Sequence, residues 1–187
     1  MNLPTKITVA RIALIPVMVA LYFISFGNNL NLLCSALIYV IAAFTDFLDG
    51  YIARSRNMVT DLGKFLDPIA DKVLVVVALF LIVESRIMPI AVGSILCGLI
   101  IAREFIISAL RQIAATKNTV LAADKLGKIK TILTNTSLPF LLASPIDNSR
   151  ILYYIGFVLF ILATIMTVIS GVNYIYKNRN LFASNGN

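Results

Sequence analysis

Apolar residues fall in six long runs, roughly 4–26, 31–54, 62–84, 88–114, 127–145 and 150–176, joined by short polar connections. Each run approaches or exceeds the roughly 20 mostly apolar residues that a membrane-crossing helix needs. The connection "FGNNLN" after the first run and "SPIDNS" before the sixth carry turn chemistry. The pattern predicts an all-α membrane protein: a bundle of six transmembrane helices forming one catalytic-sized domain over 1–177. The polar tail 178–187, "NRNLFASNGN", is expected to fray. The first run is long, contains Arg11 and Pro16 and lacks a small-residue cleavage pattern, so a cleaved leader is not expected.

Composition supports the membrane reading. Only 13% of residues are charged, against about 25% in an ordinary soluble domain. The hydrophobic share of 59% and the mean hydropathy of +0.92 point the same way. The chain has no His, which excludes Ser-His hydrolysis, phosphohistidine chemistry and His-ligated zinc. Cys34 and Cys97 lie inside apolar runs and read as small buried hydrophobes.

The net charge of +7 reflects loop placement and not a nucleic-acid partner. Of the sixteen basic residues, only Arg86 and Arg150 lie in the gaps after the first, third and fifth runs. The others sit at the termini, in the remaining gaps or in the run halves beside them, so both termini are expected on the cytoplasmic side. Lys117, Lys125, Lys177 and Arg179 read as anchors for anionic lipid. Tyr174 and Tyr176 read as residues of the interfacial aromatic belt.

The feature that composition does not explain is "FTDFLDGYIAR", residues 44–54, which closes an uncharged run with two aspartates. At 1.5 Å per residue, Asp46 and Asp49 lie roughly 12 and 7.5 Å from Arg54 along the helix axis. On the next, antiparallel helix, Asp67 and Asp71 lie roughly 6 and 12 Å above Gly63. Asp46, Asp49, Gly50 and Ala53 share an arc of about 100°, and Gly63, Asp67 and Asp71 one of about 80°. Two neighbouring helices would thus bring four carboxylates to matching depth beside small residues.

Each such aspartate costs about 2.5–3.5 kcal/mol on insertion scales, before mutual repulsion. A cation must therefore fill the site. Carboxylates without His or Cys select hard ions, Mg²⁺, Mn²⁺ or Ca²⁺, and four of them suit two metals. A metal pair serves phosphoryl displacement, and the small residues leave room for a phosphate and a nucleotide. The alternatives are plain pairing with Arg54, Lys64 and Lys72, or a cation or proton pathway. The outer halves of the first, second and fifth runs carry no charge, which weighs against a pathway.

The order D-x2-D-G-x2-A-R-x8-G-x3-D-x3-D, at Asp46, Asp49, Gly50, Ala53, Arg54, Gly63, Asp67 and Asp71, resembles the signature of the CDP-alcohol phosphotransferases. The stretches "NLPTKITVARIALIP", "GKFLDPIADKVLV", "IAREFIISALR" and "LGKIKT" resemble its bacterial phosphatidylglycerophosphate synthase branch. The resemblance implies a multi-pass enzyme of the bacterial inner (cytoplasmic) membrane, a homodimer with its active site on the cytoplasmic side. It implies transfer of the phosphatidyl group of CDP-diacylglycerol to sn-glycerol 3-phosphate, releasing CMP. It assigns Asp46, Asp49 and Asp67 to two divalent metals. It makes Asp71 the base and a further metal ligand. It places Gly50, Ala53, Arg54 and Gly63 at the CDP site, with Asn2 and Thr5. Spacing alone does not choose the base among the four aspartates, and the signature does not choose the acceptor. Phosphatidylglycerol and inositol phosphate remain alternatives.

A dianionic acceptor needs fixed positive charge, and the candidates are Arg11, Arg103, Arg111, Lys128 and Lys130. Glu104 beside Arg103 offers that arginine an internal partner instead. Pro68 removes a helical donor after Asp67 and is expected to loosen the first turn or to turn the Lys64 carbonyl toward a ligand. Thr60 reads as a helix N-cap. Gly93 and Gly98 permit close helix packing, within the protomer or at a dimer seam.

Overall fold

The structure, a computed structural model, describes residues 3–24, 27, 29–55, 61–116, 125–146 and 150–179, with backbone alone at 3–4, 47–55, 61–65, 116 and 125. Six helices follow one another: α1 (Leu3–Phe23), α2 (Leu30–Ser55), α3 (Asp61–Glu84), α4 (Ile90–Thr116), α5 (Lys125–Ala143) and α6 (Ile151–Lys177). A single 3₁₀ turn, Ser144–Ile146, links the last two. No strand occurs among the described residues. The six apolar runs coincide with these helices to within a few residues. Thr60 lies outside the described residues, and α3 continues through Pro68 without a break.

Among the described residues, three helices contain segments long and apolar enough to cross a membrane, Thr5–Phe23, Ile90–Ala115 and Ile151–Lys177. Over the described side chains of α2, Leu30–Asp46 forms a shorter apolar segment. Helix α3 carries Asp67, Asp71 and Lys72, and α5 carries Lys128 and Lys130 among Thr, Asn and Ser. Large apolar side chains such as Phe80, Ile95, Ile132 and Val172 point outward, as they do when lipid is the solvent.

The core is built from Met18, Tyr39, Leu79, Ile82, Ile100, Leu138, Leu141 and Phe160, all fully buried. Two tight seams organise it. Along α1 and α2, Ser35 Oγ donates to the Met18 carbonyl at 3.1 Å, and Asn31 Nδ2 donates to the Tyr22 carbonyl at 2.6 Å. Along α5 and α6, a Cβ added at Gly156 would stand 3.0 Å from both the Leu141 backbone nitrogen and its Cγ. A side chain there would force its neighbours back by a few tenths of an ångström.

The connections at one end of the bundle are also tied. Gly27 and Asn29 take positive φ in the α1–α2 turn, and Asn29 Nδ2 donates to the Pro145 carbonyl at 2.9 Å. At the same end Tyr22 donates a short hydrogen bond to Glu84 and so joins α1 to α3. Gly93 packs on Met88 and Val83 within the protomer, whereas a Cβ at Gly98 would meet nothing within 4 Å.

Candidate functional site

Helices α3 and α4 pack at one end, where Cys97 Sγ approaches the Leu79 carbonyl at 3.7 Å. Toward the other end, α2, α3, α4 and α5 surround a cavity of about 600 Å³. Its floor is apolar, with Leu74, Leu79, Ile100 and Ile107. Asp46, Asp67 and Asp71 stand on its α2–α3 side, and Arg103, Glu104, Arg111 and Lys130 on its α4–α5 side.

The acidic side is held from α1. Polar residues recur there at steps of three, Thr5, Thr8 and Arg11, and all three are buried among apolar neighbours. Arg11 is fully buried, with Nη1 at 2.8 Å from Asp46 Oδ1 and 3.2 Å from Asp71 Oδ1. Its Nε reaches Thr45 Oγ1 at 3.5 Å. Thr8 Oγ1 donates to Asp67 Oδ1 at 2.5 Å. One helix therefore supplies a donor to each of three carboxylates on two others. The sequence pattern offered Arg54, Lys64 and Lys72 as counter-charges and Arg11 as a phosphate ligand. Among the described residues Arg11 lies across the acids and Lys72 lines the cavity, while the side chains of Arg54 and Lys64 lie outside the described residues.

Carboxylate oxygens are the donors a hard divalent ion takes, but among the described residues no three acidic, Cys or His side chains stand close enough together to hold one. Asp46, Asp67 and Asp71 offer carboxylate oxygens to one cavity, and the Asp46 and Asp71 side chains keep 41% and 52% of their surface exposed. Each bond described above uses one oxygen, and a carboxylate offers about four lone-pair sites. Asp49 lies within α2, three residues beyond Asp46, and Gly50, Ala53 and Arg54 follow it in the same helix. Gly63 lies in the first turn of α3. The side chains of Asp49, Ala53 and Arg54, the surroundings of Gly50 and Gly63, and all of Asn2 lie outside the described residues.

The basic side is equally organised. Glu104 Oε1 accepts from Lys130 Nζ in a short contact and from Arg103 Nη1 at 3.4 Å. Arg103 Nη2 donates to Ser170 Oγ of α6 at 3.1 Å. Arg111 Nε donates to the Tyr174 hydroxyl at 3.2 Å, with its guanidinium 5.4 Å from that ring's centroid. Tyr174, expected in the lipid-facing belt, is instead buried at 3% because it backs Arg111. Tyr176 is 65% exposed, with Arg179 stacked 4.8 Å from its ring. Of the five basic candidates, Arg103, Arg111 and Lys130 line the cavity, Arg11 contacts its acids, and Lys128 is exposed outside its wall.

Sequence reasoning passed over Thr8, Glu104 as a shared partner, Ser170, and the pair Tyr39–Asn135. The fully buried Tyr39 donates from its hydroxyl to Asn135 Oδ1 at 3.0 Å, and Asn135 lines the cavity. Polar side chains at helical steps inside apolar runs were the available signal.

Comparison with known proteins shows the family. Residues 1–169 match the sequence profile described as CDP-alcohol phosphatidyltransferase. A protein of Rickettsia typhi named CDP-diacylglycerol–glycerol-3-phosphate 3-phosphatidyltransferase is 39% identical, over 97% of this chain and 99% of its own. Proteins of the same name from Bacillus subtilis and Salmonella typhimurium are 38% and 39% identical, each over 95% of both chains.

Proposed function

The chain belongs to the CDP-alcohol phosphatidyltransferase family, and from that premise we propose that it transfers the phosphatidyl group of CDP-diacylglycerol to sn-glycerol 3-phosphate. The products are phosphatidylglycerophosphate and CMP. The observation that carries this reading is one cavity with carboxylates Asp46, Asp67 and Asp71 on one side and cations Arg103, Arg111 and Lys130 on the other. Such a cavity joins a metal-dependent diphosphate site to a site for a small anion.

Asp46, Asp49, Asp67 and Asp71 would hold two divalent ions, Mg²⁺ or Mn²⁺. Held there, such ions would supply positive charge against the diphosphate and the CMP leaving group. Gly50, Ala53, Arg54 and Gly63, with Asn2 and Thr5, receive the cytidine diphosphate. Arg103, Arg111 and Lys130 bind the acceptor's phosphate, the arginines through planar forks and the lysine as a point charge. Arg11 and Thr8 hold the carboxylates in register. Asp71 accepts the proton of the acceptor hydroxyl. That oxygen bonds to the β-phosphorus, and the bond from the β-phosphorus to the oxygen it shares with CMP breaks.

In the same reading the six helices of residues 1–177 form one six-span domain with both termini cytoplasmic. The site opens to the cytoplasmic face of a bacterial inner membrane, and the protein is a homodimer. Loop charge supports the orientation, since only Arg86 and Arg150 fall in the gaps assigned outside. The test is CMP release by the purified protein with CDP-diacylglycerol, glycerol 3-phosphate and Mg²⁺ or Mn²⁺. No release with either metal overturns the proposal. Competition against phosphatidylglycerol and inositol phosphate checks the acceptor, which should remain glycerol 3-phosphate.

A further inference from the structure

Glu104 is an acid beside the bases Arg103, Arg111 and Lys130 in the α4–α5 wall. It lines the cavity with 21% of its side chain exposed and shares one oxygen, Oε1, between Lys130 Nζ and Arg103 Nη1. Arg103 is also gripped from α6. Its Nη2 donates to Ser170 Oγ at 3.1 Å. A Cβ added at the next residue, Gly171, would stand 3.0 Å from Arg103 Cγ, so this glycine is what lets the alkyl stem lie against the α6 backbone. On α5 a Cβ at Gly127 would lie 3.6 Å from Arg103 Nη2. Helices α4, α5 and α6 thus converge to set one guanidinium and one ammonium beside each other.

Two cations so close repel, and more strongly in this partly buried wall than in water. A single carboxylate between them offsets the repulsion and fixes their separation. We propose that Glu104 is a positioning residue for the acceptor, holding Arg103 and Lys130 as a preset pair for a phosphate monoester. This rests on the reading that the acceptor carries a phosphate. A pair assembled in advance does not have to be gathered and ordered when the ligand arrives.

The sign of one measurement separates this role from a mere charge effect. As a bare negative charge, Glu104 repels a dianion, and its removal tightens phosphate binding. As a positioning residue, its removal lets the two cations part, and phosphate binding weakens.

The experiment uses the full chain in nanodiscs, with CMP release measured while each substrate is varied. Glu104→Gln is expected to raise KM for glycerol 3-phosphate about tenfold or more, the scale of a lost charge-assisted contact. KM for CDP-diacylglycerol and kcat should stay within about twofold of wild type. Glu104→Asp should recover most of the loss. Inorganic phosphate should compete with glycerol 3-phosphate, and its inhibition constant should rise in parallel in Glu104→Gln. An unchanged or lower KM for glycerol 3-phosphate overturns the proposal, as does a fall in kcat alone.

Should Glu104→Gln fail to fold, Ser170→Ala removes the α6 tether and leaves every charge in place. A KM for glycerol 3-phosphate raised severalfold supports the preset pair, and an unchanged one overturns it. Failure of the functional reading looks different. If wild type ignores glycerol 3-phosphate but uses another acceptor, that reading fails. The Glu104 proposal then stands only if inorganic phosphate inhibits wild type and inhibits Glu104→Gln less.

Discussion

Replacing Arg11 with methionine would remove a buried cation that lies across the acidic row while keeping a long side chain. Arg11 is fully buried and touches Asp46 at 2.8 Å and Asp71 at 3.2 Å. Breaking a fully buried ion pair costs about 3–5 kcal/mol, because the partner is left as an uncompensated charge. An exposed pair contributes about 0–1 kcal/mol. The two carboxylates are 41% and 52% exposed, so water screens them and the loss falls between those limits, about 2 kcal/mol. For a chain of this length that corresponds to a melting temperature lower by about 4–8 °C. Divalent metal should then matter more to the variant. Without the guanidinium, the carboxylates repel one another and gain more from a bound cation. Circular-dichroism melting in detergent, with chelator and with millimolar Mg²⁺, measures both effects. The expected result is a clear drop in chelator and a larger Mg²⁺-induced rise for Arg11→Met than for wild type. Melting equal to wild type in chelator would refute the reasoning, and so would an equal Mg²⁺ response in both proteins.

Three further outcomes follow from the same geometry. Asp71→Asn should abolish CMP release while leaving binding of CDP-diacylglycerol within a fewfold of wild type; loss of binding with the fold intact would count against the base role. Gly156→Ala places a methyl 3.0 Å from the Leu141 backbone nitrogen, which cannot swing away, and should lower stability by about 1–3 kcal/mol by overpacking. An unshifted thermal transition would contradict the tight α5–α6 seam. Tyr39→Phe removes the donor to Asn135 Oδ1 and should cost about 1–3 kcal/mol if that oxygen stays dry. A melting curve unchanged from wild type would mean that water from the cavity replaces the hydroxyl.

Much of the architecture was legible because it rests on local periodicity. Six apolar runs became six helices, and the turn residues of "FGNNLN" include Gly27 and Asn29, both with positive φ. The spacing of Asp67 and Asp71 puts them on one face, and the structure lines one cavity with both of them and with Asp46 from α2. Lys128 and Lys130 differ by two positions, about 200° on a helix, and accordingly one is exposed and the other buried.

The sequence by itself determined the helices, their order, the membrane-like composition and the faces on which the carboxylates stand, because each depends on residues within a few turns of one another. Tertiary structure decided who neutralises whom. Arg11 meets Asp71 across sixty residues of chain, Glu104 gathers Lys130 as well as its neighbour Arg103, and Tyr174 turns inward to back Arg111. These outcomes depend on the rotation of each helix about its axis and on which helices become neighbours. Both are set by packing between distant surfaces, at seams such as Gly156 on Leu141 and Gly171 on Arg103. A 3.6-residue period fixes angles within a helix and contains no information about the helix packed against it.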